Sequence, residues 1–332
     1  MWWRNLELTT SRAYFAELLG DAVTQAKFAA HEYNEEVIPQ VASEYEQAIR
    51  DPSTYALDLA HQLAFRHGLG NSLFASPHTA VDFSSATAFA KSALSSSNFA
   101  VLSTGVDSGL LNSLVADFFV TPSAAALSSP ASAYFGGELR VPSVGHGSSL
   151  DHFLLAFKGA STSTAADLTV LRYLLGGESA VKWSAGLSPL SKLASGQASA
   201  HAFNLTYSDA GLFGVYISAP TSAVGGLAVK VVNELKNVAK GASAEAVAGA
   251  IAKAKFAAAA AVESRVGRLE LVGAQVRDLV VANEIWKLTG DLDRSPTLDR
   301  PCRSRRSLRR LKRLPLTRLA RCVRILLVAL DP

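Results

Sequence analysis

Histidine side chains could support hydrolysis at a metal centre, and this 332-residue chain contains seven of them. A zinc peptidase needs two histidines and a glutamate in the order H-E-x-x-H or H-x-x-E-H on one helix. Both imidazoles then bind Zn²⁺ and the carboxylate activates water. The seven are His31, His61, His67, His78, His146, His152 and His201, and none opens either pattern. The sequence therefore predicts no catalytic zinc centre.

The nearest approach to a metal cluster is His31-Glu32 with Glu35 and Glu36. One histidine among acids at the start of a predicted helix is typical of a first turn in which carboxylates face the positive end of the helix dipole. We therefore expect a helix start here and no metal. His61 and His67 are six residues apart and do not share a helical face at ligand spacing, so we expect them on the surface or in a loop.

Other motifs that carry chemistry do not occur. There is no G-x-S-x-G, no Walker A loop and no G-x-G-x-x-G after a predicted strand. The pairs Gly136-Gly137 and Gly176-Gly177 indicate turns or tight packing in preference to phosphate cradles. Asn204-Leu205-Thr206 matches the glycosylation pattern but falls inside a predicted strand, which favours a chance match. We therefore predict no catalytic residues, no metal ligands and no cofactor.

The basic character of the chain is confined to its last 39 residues. Residues 294–332 hold 12 Lys and Arg against 2 acids, whereas residues 1–293 hold 20 against 26. Both cysteines, Cys302 and Cys322, lie in this Arg-rich tail. An amphipathic arm for anionic lipid or nucleic acid is one interpretation. Pro315 and the lack of aromatic residues favour the other, translated non-native sequence. We expect no nucleic-acid partner.

Signals for membrane insertion or targeting are also weak. The longest apolar run of the tail, Ile325–Leu330, has six residues, far fewer than the ~18 needed to span a bilayer. The first ten residues contain no apolar signal segment and no amphipathic presequence. The sequence therefore predicts no transmembrane helix, and it contains no recognisable targeting signal.

An internal repeat organises the rest of the chain. NLELTT (5–10) has the alternation of a strand, and three helices follow, in 13–28, in HEYNEEVIPQVASEYEQAIRD and from DPSTYALDLAHQLAF. Asp51 before Pro52 is a good N-cap with proline at the first helical position. GLFGVYISAP (211–220) and three further helices repeat this order about 210 residues later. Such self-similarity indicates a duplicated domain.

Further elements extend each repeat. The segment before Gly211 predicts strands in FGGELRV, DHFLLAFKGA and HAFNLTYS and a helix in AADLTVLRYLLGG, with a hairpin turn at Tyr207–Gly211. After its third helix the first repeat predicts a helix and a strand within 84–105 and a helix in GLLNSLVADFF. Residues 121–133 are rich in Ser, Ala and Pro and predict a linker. The fold class predicted is α+β, with sheets that carry helices on one face.

Six segments resemble the core protein 2 family of mitochondrial ubiquinol–cytochrome c reductase, most closely its fungal members, within the inverzincin-type processing-peptidase superfamily. The resemblance covers roughly residues 4–275. It rests on YFAELL (14–19), KFAAHEYNEEV (27–37), LAFRHGLGNSL (63–73), YFGGELR (134–140), LLGGESAVKWSAGLSPLSKL (174–193) and LTYSDAGLFGVYISAP (205–220).

The resemblance implies two homologous α+β domains, each a largely antiparallel sheet with helices on one face. We expect the later part of the first domain in residues 1–120, a linker in 121–133, an incomplete second domain in 134–290 and a non-family tail in 291–332, so that both ends depart from the family. It further implies a non-catalytic structural subunit of complex III on the matrix side of the inner membrane. Its partners would be a core-1-like subunit and other complex III subunits.

One alternative is a fragment of a processing-peptidase α-like subunit that contacts substrate while its partner holds zinc. The glycine-rich substrate loop expected of that subunit has no counterpart beyond the short stretch SVGHGSS, at Gly145–Gly147. A second alternative is a module that binds nucleic acid or membrane through the Arg-rich tail.

Overall fold

The structure, a computed structural model, describes residues 8–77, 81–123, 130–142, 150–177, 187–194, 196–281 and 326–331. Two compact units divide the chain. The first comprises residues 1–45, 74–129 and 265–273, and the second comprises 46–73, 130–264 and 274–332. Residues 46–73 thus belong to the second unit, although the sequence placed them in the first domain. The domain boundaries inferred from the sequence stay a prediction for the family's domains.

The first repeat opens with helices. They are α1 (Leu8–Thr24), α2 (Ala30–Glu32), a π-helical turn (Tyr33–Val37), α3 (Ile38–Arg50) and α4 (Pro52–Phe65). The predicted cap of α4 is confirmed, because the Asp51 side chain accepts hydrogen bonds from the backbone N–H groups of Ser53 and Thr54, each at 3.3 Å. The predicted strand in 5–10 is wrong at residues 8–10, which are helical.

The first unit also contains α5 (Phe83–Ala93) and α6 (Ser108–Phe118), capped by Asp82 and Asp107. The strand predicted within residues 84–105 does not form, because this segment contains α5 and then no regular strand. A strand needs a neighbour to satisfy its backbone groups, and the described part of this unit contains no other strand. Tertiary context therefore overrides the local pattern.

The second unit is built on one five-stranded sheet. Its strands are β1 (Glu138–Pro142), β2 (Leu150–Lys158), β3 (Ser199–Thr206), β4 (Gly211–Pro220) and β5 (Leu326–Asp331), in the order β1-β5-β2-β4-β3. β5 is parallel to β1, and the other three pairings are antiparallel. The predicted hairpin turn is confirmed, since the Tyr207 backbone N–H donates to the Ala210 carbonyl at 2.9 Å.

The remaining helices agree with the helical part of the repeat. They are α7 (Ala166–Leu175), α8 (Pro189–Leu193), α9 (Thr221–Lys240), α10 (Ala244–Ala261) and α11 (Arg265–Val281). α9, α10 and α11 begin 213, 214 and 213 residues after α1, α2 and α4, respectively. The offset between the starting residues of corresponding helices is therefore constant to within one residue. The strand that precedes it is seen in the second copy.

Helices cover both faces of the sheet, whereas the sequence predicted them on one. Nine consecutive residues of β4, Gly211–Ala219, are buried. Side chains of α7, α8 and α9 pack with one face, in a core that contains Leu175, Leu190, Val215, Ile217, Leu227 and Val231. α4 packs with the other face, in a core that contains Ala56, Ala60, Ala64, Phe65, Leu154, Leu212 and Tyr216. The buried face of α4 includes three alanines, whose small side chains let this helix lie close to the strands.

β5 comes from the segment predicted as a non-family tail. Residues 282–325, which hold most of that tail, lie outside the described residues. At residues 326–331 the structure has a strand between β1 and β2. The lipid-binding alternative needs a helical stripe here, so it is not supported at these six residues.

Replacement of Val328 by proline should open the sheet on one side. Val328 lies opposite Leu154 on β2 and Leu139 on β1, and proline in a strand with two neighbours removes a ladder hydrogen bond. We expect amide hydrogen exchange in residues 152–156 to accelerate about tenfold or more, equivalent to about 1.4 kcal/mol of local stability. Val328→Thr keeps the N–H and is the matched control. Equal exchange in both variants would show that β5 does not protect β2.

Candidate functional site

The histidines are dispersed, and three of them lie in the sheet core of the second unit. His31 is exposed in α2, as the predicted helix start requires, and His67 is exposed in the loop after α4. His78 and His146 lie outside the described residues. His61, His152 and His201 are buried or half-buried. Within the described residues, no group of three His, Cys, Asp or Glu side chains is placed to hold a metal ion.

The most buried titratable pair joins two strands. Nδ1 of His152 on β2 lies 2.6 Å from the Tyr216 hydroxyl on β4, and their rings stack with centroids 5.8 Å apart. His201 on β3 lies directly opposite Tyr216, with ring centroids 5.2 Å apart. His152 is 7% exposed and Tyr216 is 6% exposed. Three rings from three adjacent strands therefore form one stack inside the core, which we call the His–Tyr stack.

The electrostatics keep the His152–Tyr216 pair neutral. Burial lowers the pKa of His152, although Asp151 and then Asp51 partly oppose this through their negative charge. Burial, and secondarily the charge of Asp51, raises the pKa of Tyr216 well above its ordinary value. A general acid or base must reach the proton it transfers. Neither ring has such access, so the pair is structural.

A second pair fixes α4 to the β3–β4 hairpin. Nδ1 of His61 lies 2.7 Å from the Leu57 carbonyl, so this nitrogen must donate. Nε2 is then the acceptor for the Tyr207 hydroxyl at 2.6 Å. Burial raises the pKa of Tyr207, which keeps this donor protonated. The expectation that His61 lies on the surface or in a loop is therefore wrong.

Asp58 organises the loop after α4. This buried carboxylate accepts hydrogen bonds from Gln62 Nε2 at 2.8 Å, the Ser72 hydroxyl at 2.7 Å and the Leu73 backbone N–H at 3.1 Å. Its acceptors are occupied by groups of the same unit, so the carboxylate closes the loop onto α4. It is not free to bind a ligand.

The Gly176-Gly177 pair packs against the edge strand β3. A Cβ on Gly177, where φ is +113°, would lie 2.1 Å from the Ala200 carbonyl oxygen. The Gly176 carbonyl accepts from the Ala202 N–H at 3.0 Å, and Arg172 Nε donates to the Ala202 carbonyl at 3.3 Å. The prediction of tight packing is confirmed. The turn also occupies hydrogen-bonding groups that an edge strand otherwise leaves open to other chains.

The other glycine pair, Gly136-Gly137, also has a packing role. A Cβ on Gly137 would lie 2.9 Å from the Leu63 side chain of α4. Next to it, Phe135 donates its backbone N–H to the Ala64 carbonyl at 2.8 Å, and the Arg66 guanidinium lies 4.4 Å from the Phe135 ring centre. These contacts hold the segment before β1 on α4. The arrangement serves packing, as predicted, and not phosphate binding.

The polar groups described above thus form hydrogen bonds that join elements of the second unit. Sequence reasoning missed the His–Tyr stack and the His61–Tyr207 pair. The signal for the stack lies in the register, because His152 is diagonal to Tyr216 across β2 and β4. In the described part of the chain, no helix has the length and hydropathy to cross a membrane.

The described residues form an α+β fold with a largely antiparallel sheet. The family model "Peptidase M16 inactive domain" matches residues 80–254. A chain in a solved structure of complex III2 from Candida albicans with Inz-5 bound superposes with a TM-score of 0.71. That likeness covers 97% of this chain and 76% of the other, at 13% sequence identity, and shows the fold alone.

Sequence relatives narrow the family further. Subunit 2 of the mitochondrial cytochrome b-c1 complex from Cryptococcus neoformans is 42% identical over 84% of this chain and 68% of its own length. The Neurospora crassa subunit is 39% identical over 73% of this chain and 55% of its own length. The human subunit is 30% identical over 71% and 54%. The chain therefore belongs to the M16 peptidase family and, within it, to the cytochrome b-c1 complex subunit 2 family. The matched domain is of the inactive type.

The His–Tyr stack should make stability depend on pH. His152 has a lowered pKa in the folded state, so below its unfolded value of about 6.5 the unfolded chain binds more protons. We expect the free energy of unfolding to fall as the pH drops from about 7 to 5. His152→Phe should weaken this slope, measured by urea unfolding at each pH. The exposed His67→Asn control should leave the slope unchanged, and an equal slope in all three proteins would contradict the assignment.

The Gly177 contact should tolerate no side chain. Gly177→Ala places a methyl group against the Ala200 carbonyl and forces an unfavourable φ, so we expect a loss of about 2 kcal/mol or more in the free energy of unfolding. Gly196→Ala is the matched control. It also has positive φ but nothing within 4 Å of the new Cβ, so it should cost about 1 kcal/mol. Equal losses in both variants would remove the packing argument.

Proposed function

We propose that the chain is a non-catalytic structural subunit of respiratory complex III, the mitochondrial ubiquinol–cytochrome c reductase. It lies on the matrix side of the inner membrane and contacts a core-1-like subunit and other subunits of the complex. The observation that carries the proposal is the 42% identity to a subunit 2 protein over 84% of the chain. The match to an inactive peptidase domain agrees with it.

The chemistry of the chain supports a role without catalysis. A peptidase of this superfamily binds zinc through H-x-x-E-H, and none of the seven histidines opens that pattern. The histidines inside the second unit are engaged with tyrosines, and their ring nitrogens are not grouped for a metal. We propose that the chain has no peptidase activity because it lacks this zinc-binding motif.

The domain organisation belongs to the same proposal. In terms of the family's domains, residues 1–120 are the later part of the first domain and residues 134–290 are the second, with 121–133 as linker. The regular spacing of α9, α10 and α11 after α1, α2 and α4 supports two homologous units. Residues 291–332 are a tail of non-family sequence, of which β5 is the described part.

Assembly can be tested in fungal mitochondria. We expect the tagged full chain, imported with a presequence in place of resident subunit 2 of Cryptococcus neoformans, to comigrate with complex III on blue native gels. Val231→Asp is the control, because it places a charge at a fully buried position of α9 and should abolish assembly. A wild-type chain that stays apart from complex III would refute the proposal. Peptide cleavage should stay at the blank level with or without added Zn²⁺, and zinc-dependent cleavage would refute the non-catalytic role.

A further inference from the structure

One ring nitrogen of the His–Tyr stack lacks a hydrogen-bond partner. Nε2 of His152 is buried and forms no hydrogen bond within the described residues. The other nitrogen, Nδ1, lies 2.6 Å from the Tyr216 hydroxyl, and this contact uses one hydrogen in whichever direction it is donated. Buried polar atoms without a partner are uncommon in folded proteins and require an explanation. The packed imidazole is therefore satisfied at one of its two nitrogens.

A proton added to His152 would increase this mismatch. Both nitrogens of an imidazolium ion are donors, so Nδ1 would donate to Tyr216 and Nε2 would carry a hydrogen without an acceptor among the described residues. Burial also disfavours the charged form and lowers the pKa of His152. The same ring in water binds a proton with a pKa of about 6.5. Acid therefore favours any state in which His152 reaches solvent.

The first turns of α4 cover the His–Tyr stack. His152 shares a face of the sheet with Leu154, two residues along β2, and Leu154 packs in the core that α4 covers. Tyr216 belongs to the same core, together with Ala56 of α4. The negative charge of Asp51, which caps α4, acts on both His152 and Tyr216. The start of α4 is therefore the element that has to move if His152 is to reach water.

The groups around the stack come from several elements. They are Tyr216 and Ser218 on β4, His201 on β3, Leu330 opposite His152 on β5, and Asp51 at the start of α4. Asp151 precedes His152 on β2 and lies on the opposite face, where the Thr221 hydroxyl donates to it at 3.2 Å. The negative charges of Asp151 and Asp51 favour a proton on His152, but they offset the effect of burial only in part.

We propose that the His–Tyr stack is a proton-sensitive latch for α4. With a neutral His152 ring the first turns of α4 stay on the sheet, and with a protonated ring they separate from it before the sheet unfolds. Asp51 is not the sensor. Although burial opposes the change, hydrogen bonds from Thr54 and Ser53 lower the pKa of Asp51, so this carboxylate stays ionised where a histidine titrates. The inference concerns the fold and does not rest on a role in complex III.

Hydrogen exchange of backbone amides in the full 332-residue chain tests the latch. The measured quantity is the opening constant of residues 54–59, corrected for the intrinsic exchange rate at each pH. A pKa of about 6.5 in the open state should raise this constant about tenfold between about pH 7.5 and about pH 5.5. The reference is α7, which packs on the other face of the sheet. At the lower pH, residues 54–59 should open at least about tenfold more often than α7, because α4 separates without unfolding of the unit.

The variant that removes the sensor is His152→Gln. Glutamine does not titrate and its amide can still bond to Tyr216, so the rise with acid should fall below about twofold. His67→Asn is the matched control, because His67 is exposed in the loop after α4 and its loss should leave the rise unchanged. Circular dichroism checks the folding of each variant.

A further variant, Asp51→Asn, keeps a side chain that caps helices well and removes a charge that favours the proton. The rise with acid should then be at least as large as in the wild-type chain. Loss of the rise in this variant would make the cap the sensor and would refute the latch. Persistence of the full rise in His152→Gln would assign it to another group, such as His61 on α4, and would also overturn the proposal. So would a wild-type chain in which residues 54–59 and α7 share one opening constant.

Discussion

Burial of β4 on both faces is the constraint on which the second unit depends. Nine consecutive residues of this strand are removed from solvent, so each face needs its own apolar layer. α7, α8 and α9 supply one layer from the same repeat. The other comes from α4, an element of the first repeat, whose Ala56, Ala60 and Ala64 are fully buried. Small side chains at every fourth position let a helix approach the strands closely. The sheet is therefore covered on both faces only with α4, which ends 146 residues before β4 begins.

Hydrogen bonds between polar groups also hold the elements of this core together. A buried hydroxyl or imidazole is costly unless it is hydrogen-bonded. The bond between His61 and Tyr207 meets that requirement, and the bond between Nδ1 of His152 and Tyr216 meets it for one ring nitrogen, whereas Nε2 of His152 is buried without a hydrogen-bond partner. Burial raises the pKa of both tyrosines and lowers that of His152, so these three side chains stay neutral near pH 7. These histidines and tyrosines therefore serve as hydrogen-bonded contacts between elements of the second unit.

The sequence predicted the local elements well where pattern and cap agree. Asp51-Pro52 marked the start of α4, and the alternation in GLFGVYISAP marked β4. It failed where an element depends on a distant partner. The strand predicted within residues 84–105 has no neighbouring strand in the described part of its unit and does not form. The pattern of α4 predicts a helix but not that its apolar side packs on a sheet of the other repeat. β5 shows the same limit, because the sequence of the basic tail does not indicate with which strands residues 326–331 will pair. Single-sequence patterns report which face is apolar, and only the fold reports what covers it.

A comparison of the two repeats distinguishes the apolar face of a helix from the structure that covers this face. Tyr14, Phe15 and Leu18 form an apolar stripe on α1, and the offset between α1 and α9 makes Val231 the counterpart of Leu18. Val231 is fully buried, whereas Leu18 is 53% exposed. The helical sequence has therefore retained a preference for a sheet that the described residues of the first unit do not contain. Burial of three such side chains is worth several kcal/mol, at about 1.5–3 kcal/mol each, which is a large fraction of the stability of a domain. An exposed stripe of this size is consequently either a binding surface or a liability for aggregation.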